Sequence, residues 1–328
     1  QGPLSAYIIR RLLYALPILI GVNALTFVLF FVVNSPDDMA RMHLGNKRVT
    51  DHAIKAWKQE HGYDKPLLIN RSAQGAAVFT DTILFEKSIK LFLFDFGQSD
   101  GGRDIGYDIS QRMWPSLAIA VPTLLVGLAV NITFALLLAF FRATYLDFWG
   151  VVVCVAMMSI SSLFYIIGGQ FLVGKLLNLV PISGYDTGLH AWKFMILPVI
   201  VGVIGGIGSG TRWYRTLFLE EIHRDYVRSA RAKGLSEHWV LFRHVLRNAL
   251  IPILTGVVVV LPLLFIGSLL VESFFGIPGL GSYTIDAINN QDFAIVRAMV
   301  FLGAVLYIIG LLMTDVSYTI VDPRVRLD

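Results

Sequence analysis

Six long apolar segments, separated by polar loops, dominate the pattern of the sequence. They cover residues 12–33, 116–141, 150–173, 194–210, 249–271 and 298–321. A helix that crosses a hydrocarbon core about 30 Å thick needs roughly 20 apolar residues, and only the fourth segment, which is rich in glycine, is clearly shorter. The pattern therefore predicts an all-α membrane protein with six transmembrane helices.

The composition supports this interpretation. Hydrophobic residues make up 55% of the 328 positions and charged residues only 15%, against about 25% charged in an average soluble domain. A soluble chain of this size could not bury so much apolar surface behind a polar shell. The single cysteine, Cys154, excludes an intramolecular disulfide and a cysteine-based metal site.

The distribution of Lys and Arg predicts the orientation of the spans. With a cytoplasmic N-terminus, the short outer loops contain only Lys175, Lys193 and Arg297. The inner side then contains thirteen basic residues: Arg10, Arg11, Arg142, Arg212, Arg215, Arg224, Arg228, Arg231, Lys233, Arg243, Arg247, Arg324 and Arg326. By the positive-inside rule, both termini are expected in the cytoplasm.

The remaining segments suggest how the chain is divided. Gln1-Gly2-Pro3, without an initiator Met, has the form of a protease-site remnant and is left out of the fold. Residues 4–33 form the N-terminal segment and first span, residues 34–115 a small folded extracytoplasmic loop domain, and residues 116–328 the membrane core.

One helix can be predicted inside the loop domain. Thr50 is placed to cap a helix over Asp51–His61, Gly62 stands where a left-handed stop belongs, and Pro66 prevents continuation. The glycine-rich stretch 97–106 is predicted to be loop.

The inner loop, residues 211–248, contains the pattern most informative about function. Asp225 is placed to cap a short helix through Lys233, Gly234 interrupts it, and Ser236 is placed to cap a second helix from Glu237 toward Leu246. The resulting helix–glycine–helix elbow either seats as a rigid body in the groove of a partner or is a basic loop attracted to anionic lipid.

A family resemblance favours the first alternative. Residues 225–236, DYVRSARAKGLS, followed by residues 244–252, HVLRNALIP, resemble the cytoplasmic loop of binding-protein-dependent ABC importer permeases, most closely the dipeptide/oligopeptide family. The general pattern there is Glu-Ala-Ala, three residues, then Gly. Ala230 and Gly234 fit it, while Arg228 and Ser229 replace the Glu and the first Ala, a version typical of the peptide subfamily.

Other segments extend the resemblance along nearly the whole chain, in the subunit type with a long first outer loop. The matching stretches are 7–13, YIIRRLL; 62–66, GYDKP; 94–99, FDFGQS; 180–184, VPISG; 275–281, FGIPGLG; and 321–324, VDPR. The resemblance implies the type I ABC importer permease fold, with no catalysis in this chain.

The resemblance also implies partners and a coupling site. The partners are a second homologous permease, two cytoplasmic ABC ATPases that bind ATP and Mg, an extracytoplasmic solute-binding protein and membrane lipid; this chain itself has no cofactor. The implied ATPase-coupling residues are Asp225, Tyr226, Arg228, Ser229, Ala230, Arg231, Ala232, Lys233, Gly234, Leu235 and Ser236.

Several residues in or beside the spans remain open to two interpretations. The turn with Gly276, Pro278, Gly279 and Gly281 is predicted to be re-entrant near an outer gate, or a plain turn. The polar residues that either line a pathway or bond neighbouring helices are Asn131, Ser159, Ser161 and Ser162.

Two carboxylates and the fourth span complete this group. Asp315 is expected to form an ion pair, with Arg10 or Arg11, more readily than to act as a proton relay. Glu272 is placed at the interface, at the outer end of the fifth span. The glycines of the fourth span are expected to serve close helix packing.

The sequence therefore predicts a permease subunit of an ATP-driven importer of peptides in the bacterial inner membrane. The alternatives are the same type of permease for a nickel chelate, glutathione or a sugar, and a stand-alone secondary transporter. The latter would need several intramembrane charges or broken helices in inverted repeats. No metal-ligand spacing, catalytic triad or nucleotide-binding motif is found.

Overall fold

The structure is a computed structural model that describes residues 3–45 and 49–321. Gln1 and Gly2 of the predicted remnant lie outside the described residues, as does the end of the chain from residue 322, including Arg324 and Arg326. Pro3 is the first residue of the first helix.

The described residues are almost entirely helical. The helices are α1 Pro3–Phe27, α2 Pro36–Leu44, α3 Asp51–His61, α4 Ala77–Thr80, α5 Ile105–Phe140, α6 Tyr145–Ser159, α7 Ser162–Gly169, α8 Ala191–Ile222, α9 Asp225–Ala232, α10 Glu237–Trp239, α11 Leu246–Val258, α12 Leu269–Phe275, α13 Leu280–Asn289 and α14 Phe293–Val321. Wider π-helical turns cover Val28–Val33, Leu84–Ser88, Gln170–Leu176 and Val240–Val245, and 3₁₀ turns cover Ile89–Leu93, Gly188–His190 and Pro262–Phe265.

Five of the described helical stretches are long and apolar enough to cross a membrane, and two bent helix pairs raise the number to seven if each pair is one span. The all-α membrane architecture is confirmed, whereas the structure does not reproduce six unbroken spans. The five stretches are Ser5–Val33, Ile105–Phe140, Ala191–Ile222, Glu237–Val258 and Phe293–Ile320.

The third predicted span, residues 150–173, is broken. Helices α6 and α7 meet at an angle of 89°, because Ile160 is extended and Ser161 caps α7 by accepting a hydrogen bond from the Leu163 N–H at 3.3 Å. A serine that can cap a new helix competes with continuation of the old one.

The fifth predicted span, residues 249–271, is wrong in both of its bounds. A continuous helical stretch, called the rod below, begins at Glu237 and ends at Val258. A 3₁₀ turn at Pro262–Phe265 and a left-handed Gly267, φ 74°, follow it before α12 begins. Pro262 can start a helical turn but cannot donate the backbone bond that would continue the rod.

The fourth predicted span, residues 194–210, is the middle of the longer helix α8, which continues to Ile222. Three of its five glycines, Gly202, Gly208 and Gly210, make room for neighbours, as predicted. A Cβ at Gly202 would lie 2.8 Å from Thr123 of α5, and one at Gly208 would lie 2.5 Å from the Cys154 carbonyl oxygen of α6. The C-terminal part of α8 is joined to α6 by two hydrogen bonds that Arg215 donates to Asp147, at 2.7 and 2.8 Å.

We expect Gly208→Ala to destabilise the protein by about 1–3 kcal/mol, the usual effect of overpacking, because the obstructing atom belongs to the α6 backbone. Gly206→Ala on the same helix is the matched control, since nothing lies within 4 Å of a Cβ there. Thermal unfolding of the purified chain in detergent measures both. Equal melting temperatures for the two variants would contradict the packing role of Gly208.

The chain divides into two compact units. Among the described residues, the first comprises residues 3–45, 49–112 and 283–312, and the second residues 113–282 and 313–321. In the first unit, α3 confirms the prediction in detail: Thr50 accepts a hydrogen bond from the Ala53 N–H at 3.2 Å, and Gly62 is left-handed, with φ 76°. Residues 97–104 form the predicted loop, and α5 begins at Ile105.

The first unit has an aromatic core that includes one buried cation. Tyr63, from the GYDKP stretch, packs with Phe31 and Trp57. Arg297 is only 4% exposed, lies 4.6 Å above the Phe31 ring and donates to the Tyr63 hydroxyl at 3.2 Å. Arg297 is therefore a core residue of α14, not the outer-loop residue that was counted for orientation.

Asp100 completes this polar centre. The Tyr63 hydroxyl donates to its Oδ1 at 2.9 Å. Burial raises the pKa of Tyr63 to about 12, against the opposing effect of Arg297, so the phenol remains a donor at physiological pH. The described part of this loop, residues 34–45 and 49–104, thus folds around a core that it shares with the first helical stretch and α14.

Candidate functional site

The elbow predicted between residues 225 and 246 is present. Its second helix starts at Glu237, as predicted, whereas its first helix starts one residue earlier than predicted. Arg224 occupies the N-cap position of α9 and no side chain caps the helix, so the predicted capping role of Asp225 is wrong. Asp225 is the first helical residue, where its negative charge still complements the helix dipole. Ser236 occupies the next N-cap position, also without a side-chain bond.

The break at Gly234 is confirmed. Lys233 ends α9 as its C-cap, and Gly234 has φ 81°, a left-handed conformation that glycine adopts without steric cost. Its N–H donates to the Arg231 carbonyl at 3.0 Å. The chain therefore reverses at one residue rather than through a flexible loop.

The second arm of the elbow is not a separate short helix. The helix that begins at Glu237 continues through the π-helical turn Val240–Val245 into α11. It ends only at Val258. The helix continues through Pro252, although a proline inside a helix removes one backbone hydrogen bond. The elbow is thus the bent end of a membrane-length helix.

A shared hydrophobic core fixes the elbow to the second unit. Val227 and Ala230 of α9 are buried against Phe218 and Ile222 of α8 and against Val240 of the rod. Ala230, one of the implied coupling residues, therefore faces this core. Side-chain packing therefore joins α9 to both α8 and the rod.

Polar contacts reinforce the same joint. Glu237 Oε1 accepts hydrogen bonds from Arg142, after α5, at 2.8 Å and from Arg231 of α9 at 3.0 Å. The Tyr226 hydroxyl donates to Glu221 Oε2 at 2.6 Å, and burial, followed by the Glu221 contact, raises the pKa of Tyr226. Tyr226 is consequently a permanent donor that ties α9 to the end of α8.

The other predicted coupling residues form the outer face of the elbow. Tyr226 and Leu235 are half-buried. The exposed ones are Asp225, Arg228, Ser229, Arg231, Ala232, Lys233, Gly234 and Ser236. This face combines small side chains with three cations, while its opposite side is embedded in the core.

At the other end of the second unit, two turns singled out in the sequence meet. The Gly184 N–H, from VPISG, donates to the Phe275 carbonyl at 2.7 Å. Gln170 donates to the carbonyls of both Ile182 and Phe274, at 3.1 and 3.0 Å. Gly276 adopts φ 65°, so the FGIPGLG stretch forms the tight turn predicted for it.

Glu272 lies beneath this turn and is the site residue that the sequence misplaced. It was expected at the interface but is only 1% exposed. Its carboxylate accepts from the Ser116 hydroxyl of α5 and, at 3.1 Å, from the Ser282 N–H of α13. Ser116 in turn accepts from the Leu280 N–H at 2.8 Å.

Three glycines make this arrangement possible. A Cβ at Gly267, Gly279 or Gly281 would overlap the Glu272 carboxylate. The glycines at 279 and 281, predicted only to shape the turn, therefore also enclose a buried anion. The carboxylate accepts from the Ser282 N–H in the first turn of α13, as an acid at a helix N-terminus does.

The four predicted pathway residues are not brought together. Ser159, Ser161 and Ser162 lie at the exposed break between α6 and α7, where the Ser159 hydroxyl donates to the Val155 carbonyl at 2.9 Å. Asn131 lies in α5 and occupies the space that a Cβ at Gly210 would need. It packs against α8 there, but its buried Oδ1 has no hydrogen-bond partner among the described residues, so the predicted bond to a neighbouring helix is not found.

Within the described residues, no group of three or more His, Cys, Asp and Glu side chains could hold a metal ion. The expected ion pair of Asp315 with Arg10 or Arg11 stays a prediction.

Comparisons with known proteins identify the family. Residues 131–327 match the model of the binding-protein-dependent transport system inner membrane component, and residues 4–89 match that of the N-terminal part of such membrane components. The dipeptide transport system permease protein DppB of Lactococcus lactis is 32% identical, with 98% of this chain and 99% of the relative covered. The oligopeptide transport system permease protein AppB of Bacillus subtilis is 28% identical, over 98% of this chain and all of the relative. The chain therefore belongs to the family of binding-protein-dependent transport system inner membrane components, the membrane-spanning permease subunits of ABC importers.

Proposed function

We propose that the chain forms one half of the translocation path of an ABC importer for peptides. Relatives similar over nearly their whole length bear the names of dipeptide and oligopeptide permeases, which supports this cargo over a nickel chelate, glutathione or a sugar. Family membership implies ATPase and binding-protein components as partners. The full complement is proposed to be a second permease, two ATPases and one solute-binding protein.

The observation that carries this proposal is the construction of the elbow. Its outer face is exposed, while Val227 and Ala230 are embedded in the same core as α8 and the rod. ATP-driven closure of the ATPases would displace α9 and, through this core, tilt α8 and the rod. The permease itself makes and breaks no covalent bond; it changes between two packed arrangements that ligands elsewhere select.

The orientation follows the same proposal. The elbow and the Arg142 turn lie in the cytoplasm, in keeping with the excess of basic residues there. The turns at Gly184 and Gly276 then lie on the outer side, where the binding protein delivers its cargo. Their mutual hydrogen bond at 2.7 Å makes them candidates for an outer gate.

The test is to purify the transporter from native membranes through a tag on this chain and to reconstitute it with its binding protein. We expect co-purification of two ATPases and a second permease, and ATP-dependent uptake of trialanine that glutathione does not inhibit. Uptake of glutathione or a nickel chelate in place of trialanine would overturn the cargo. Transport by this chain alone, without ATPases, would overturn the importer assignment.

A further inference from the structure

Residues 88–94 of the outer loop form a short, mostly apolar segment that contacts two membrane-length helices of the first unit. The side chain of Asn23, in α1, donates a hydrogen bond to the Ser88 carbonyl at 3.0 Å. The ring centroids of Phe92 and of Phe301, in α14, are 5.4 Å apart. The 88–94 segment is therefore level with Asn23 on one candidate span and with Phe301 on the other.

The core of the first unit shows where the hydrocarbon region must end. Phe27 and Phe31 of α1 share this core with Trp57 of α3, and Arg297 of α14 lies over the Phe31 ring. The exposed charged side chains of α3 include Asp51, Lys55 and Glu60. Because charged groups are costly in hydrocarbon, α3 and the core that it covers lie outside the hydrocarbon region.

The parts of the two helices that remain have the right length to cross the membrane. At 1.5 Å per residue, residues 5–26 of α1 are about 33 Å long and residues 298–320 of α14 about 35 Å long. The hydrocarbon core of a bilayer is about 30 Å thick. One of its two boundaries therefore lies next to Phe27 and Arg297.

The 88–94 segment lies at that boundary. Asn23 is four residues deeper in the membrane than Phe27, and Phe301 is four residues deeper than Arg297, which is about 6 Å in each helix. Interfacial apolar segments enter the bilayer by a similar depth, about 5–10 Å.

Large apolar side chains of the segment point away from the protein at this depth. Leu93 is 74% exposed and Phe94 is 55% exposed, and Ile89 is exposed as well, whereas Leu91 is buried. A single exposed apolar side chain is normal on any protein surface. Three of them within six consecutive positions mark an interaction surface.

The backbone and the one charge of the segment are suited to contact with lipid. The 3₁₀ turn Ile89–Leu93 is closed by a hydrogen bond that the Phe94 N–H donates to the Leu91 carbonyl at 2.9 Å. The Lys90 ammonium lies 3.0 Å from a carboxylate oxygen of Glu86. Backbone groups that meet lipid need such internal partners, and a lysine near the boundary keeps its ammonium on the polar side.

We propose that the 88–94 segment is an interfacial anchor, which inserts Ile89, Leu93 and Phe94 into the outer leaflet and holds the extracytoplasmic loop at the membrane surface. Lipid is the occupant that fits, because the candidate spans expose apolar side chains at the same level. Leu25 of α1 is 62% exposed and Val300 of α14 is 42% exposed. The choice of leaflet rests on the proposed orientation of the chain, whereas the contact with lipid does not.

The experiment measures which medium surrounds Leu93 in the assembled transporter, reconstituted in liposomes. Leu93→Cys/Cys154→Ser carries a nitroxide spin label, and Cys154 is the only native cysteine of the chain. Electron paramagnetic resonance compares collisions of the label with oxygen, which concentrates in lipid, and with nickel ethylenediaminediacetate, which stays in water.

The matched control is Leu44→Cys/Cys154→Ser in α2, where the leucine is 43% exposed. Its neighbour His43 lies 2.9 Å from the Gln291 carbonyl oxygen, just before α14 begins. This places Leu44 about 12 Å or more farther out than Phe301. We expect the oxygen-to-nickel ratio at Leu93 to exceed that at Leu44 by about fivefold or more. The chain with Cys154→Ser alone gives the background from partner subunits.

A second pair of variants tests whether lipid holds the segment in place. Leu93→Glu puts a carboxylate at the boundary, and amide-hydrogen exchange of residues 84–96 should rise about tenfold in nanodiscs, because an ionised group is expelled from hydrocarbon. Leu44→Glu should leave the exchange of these residues unchanged.

Three results would overturn the proposal. They are equal oxygen-to-nickel ratios at Leu93 and Leu44, a label at Leu93 that neither reagent reaches, which would mean that protein covers the segment, and unchanged exchange in Leu93→Glu. None of these measurements requires cargo or ATP, so a failure of peptide uptake would not affect them. A wrong orientation would appear separately, as protection of Leu44→Cys from a membrane-impermeant maleimide added to intact cells.

Discussion

Replacing Gly234 by proline is expected to reduce uptake at least tenfold while ATP hydrolysis continues. Proline cannot adopt the φ of 81° found at this residue, and it would remove the N–H that donates to Arg231. The turn must therefore reform, and α9 loses its fixed position relative to the rod. Substrate uptake and ATPase rate, measured on the same proteoliposomes, give the coupling ratio.

Two milder substitutions separate backbone conformation from bulk. Nothing lies within 4 Å of a Cβ at Gly234, so a side chain there meets no neighbour, and only the left-handed backbone costs energy. Valine should cost roughly 1–2 kcal/mol and partly uncouple transport, whereas asparagine, which tolerates this conformation, should remain near wild type. Equal coupling in the proline, valine and asparagine variants would refute the rigid-elbow mechanism.

How much of this protein could be predicted from its sequence depends on how local each signal is. The helix α3 follows from Thr50, Gly62 and the residues between them, because caps and stops act over one turn. Gly234 was found for the same reason. Both signals need no knowledge of the rest of the chain.

Signals that depend on tertiary neighbours were misjudged. Arg297 looks like a loop cation next to a span, yet the Tyr63 and Phe31 rings, more than 200 positions away in sequence, enclose it. Ala230 resembles a small surface residue in the sequence, but its position on α9 places its side chain against Phe218 and Val240. Hydropathy along the chain does not specify which face a side chain occupies.

The breaks in the spans are intermediate between local signals and signals that depend on tertiary neighbours. Ser159, Ser161 and Ser162 are visible as polar residues inside an apolar run, and a serine can either bond within its helix or start a new one. The extended backbone of Ile160 in the structure shows that a new helix starts here. For the Glu272 site, the clue was the coincidence of one acid with glycines on both sides, at Gly267, Gly279 and Gly281.

Replacing Glu272 by leucine is expected to destabilise the outer turn by several kcal/mol. The Ser116 hydroxyl and the Ser282 N–H would both lose their acceptor in a buried site, and an unsatisfied buried donor costs about 1–3 kcal/mol. Glutamine is the matched control, since its amide can accept from Ser282 and donate to Ser116 at nearly the same volume.

Thermal unfolding and thiol labelling of Gly276→Cys, in the otherwise unchanged transporter and in each variant, would measure the effect. We expect the leucine variant to melt lower and to label faster, and the glutamine variant to remain close to wild type. Gly279→Ala should resemble the leucine variant, because its Cβ would displace the carboxylate, whereas Gly256→Ala, with nothing within 4 Å of the new Cβ, should not. A leucine variant as stable and as protected as wild type would mean that the buried carboxylate does not hold the turn.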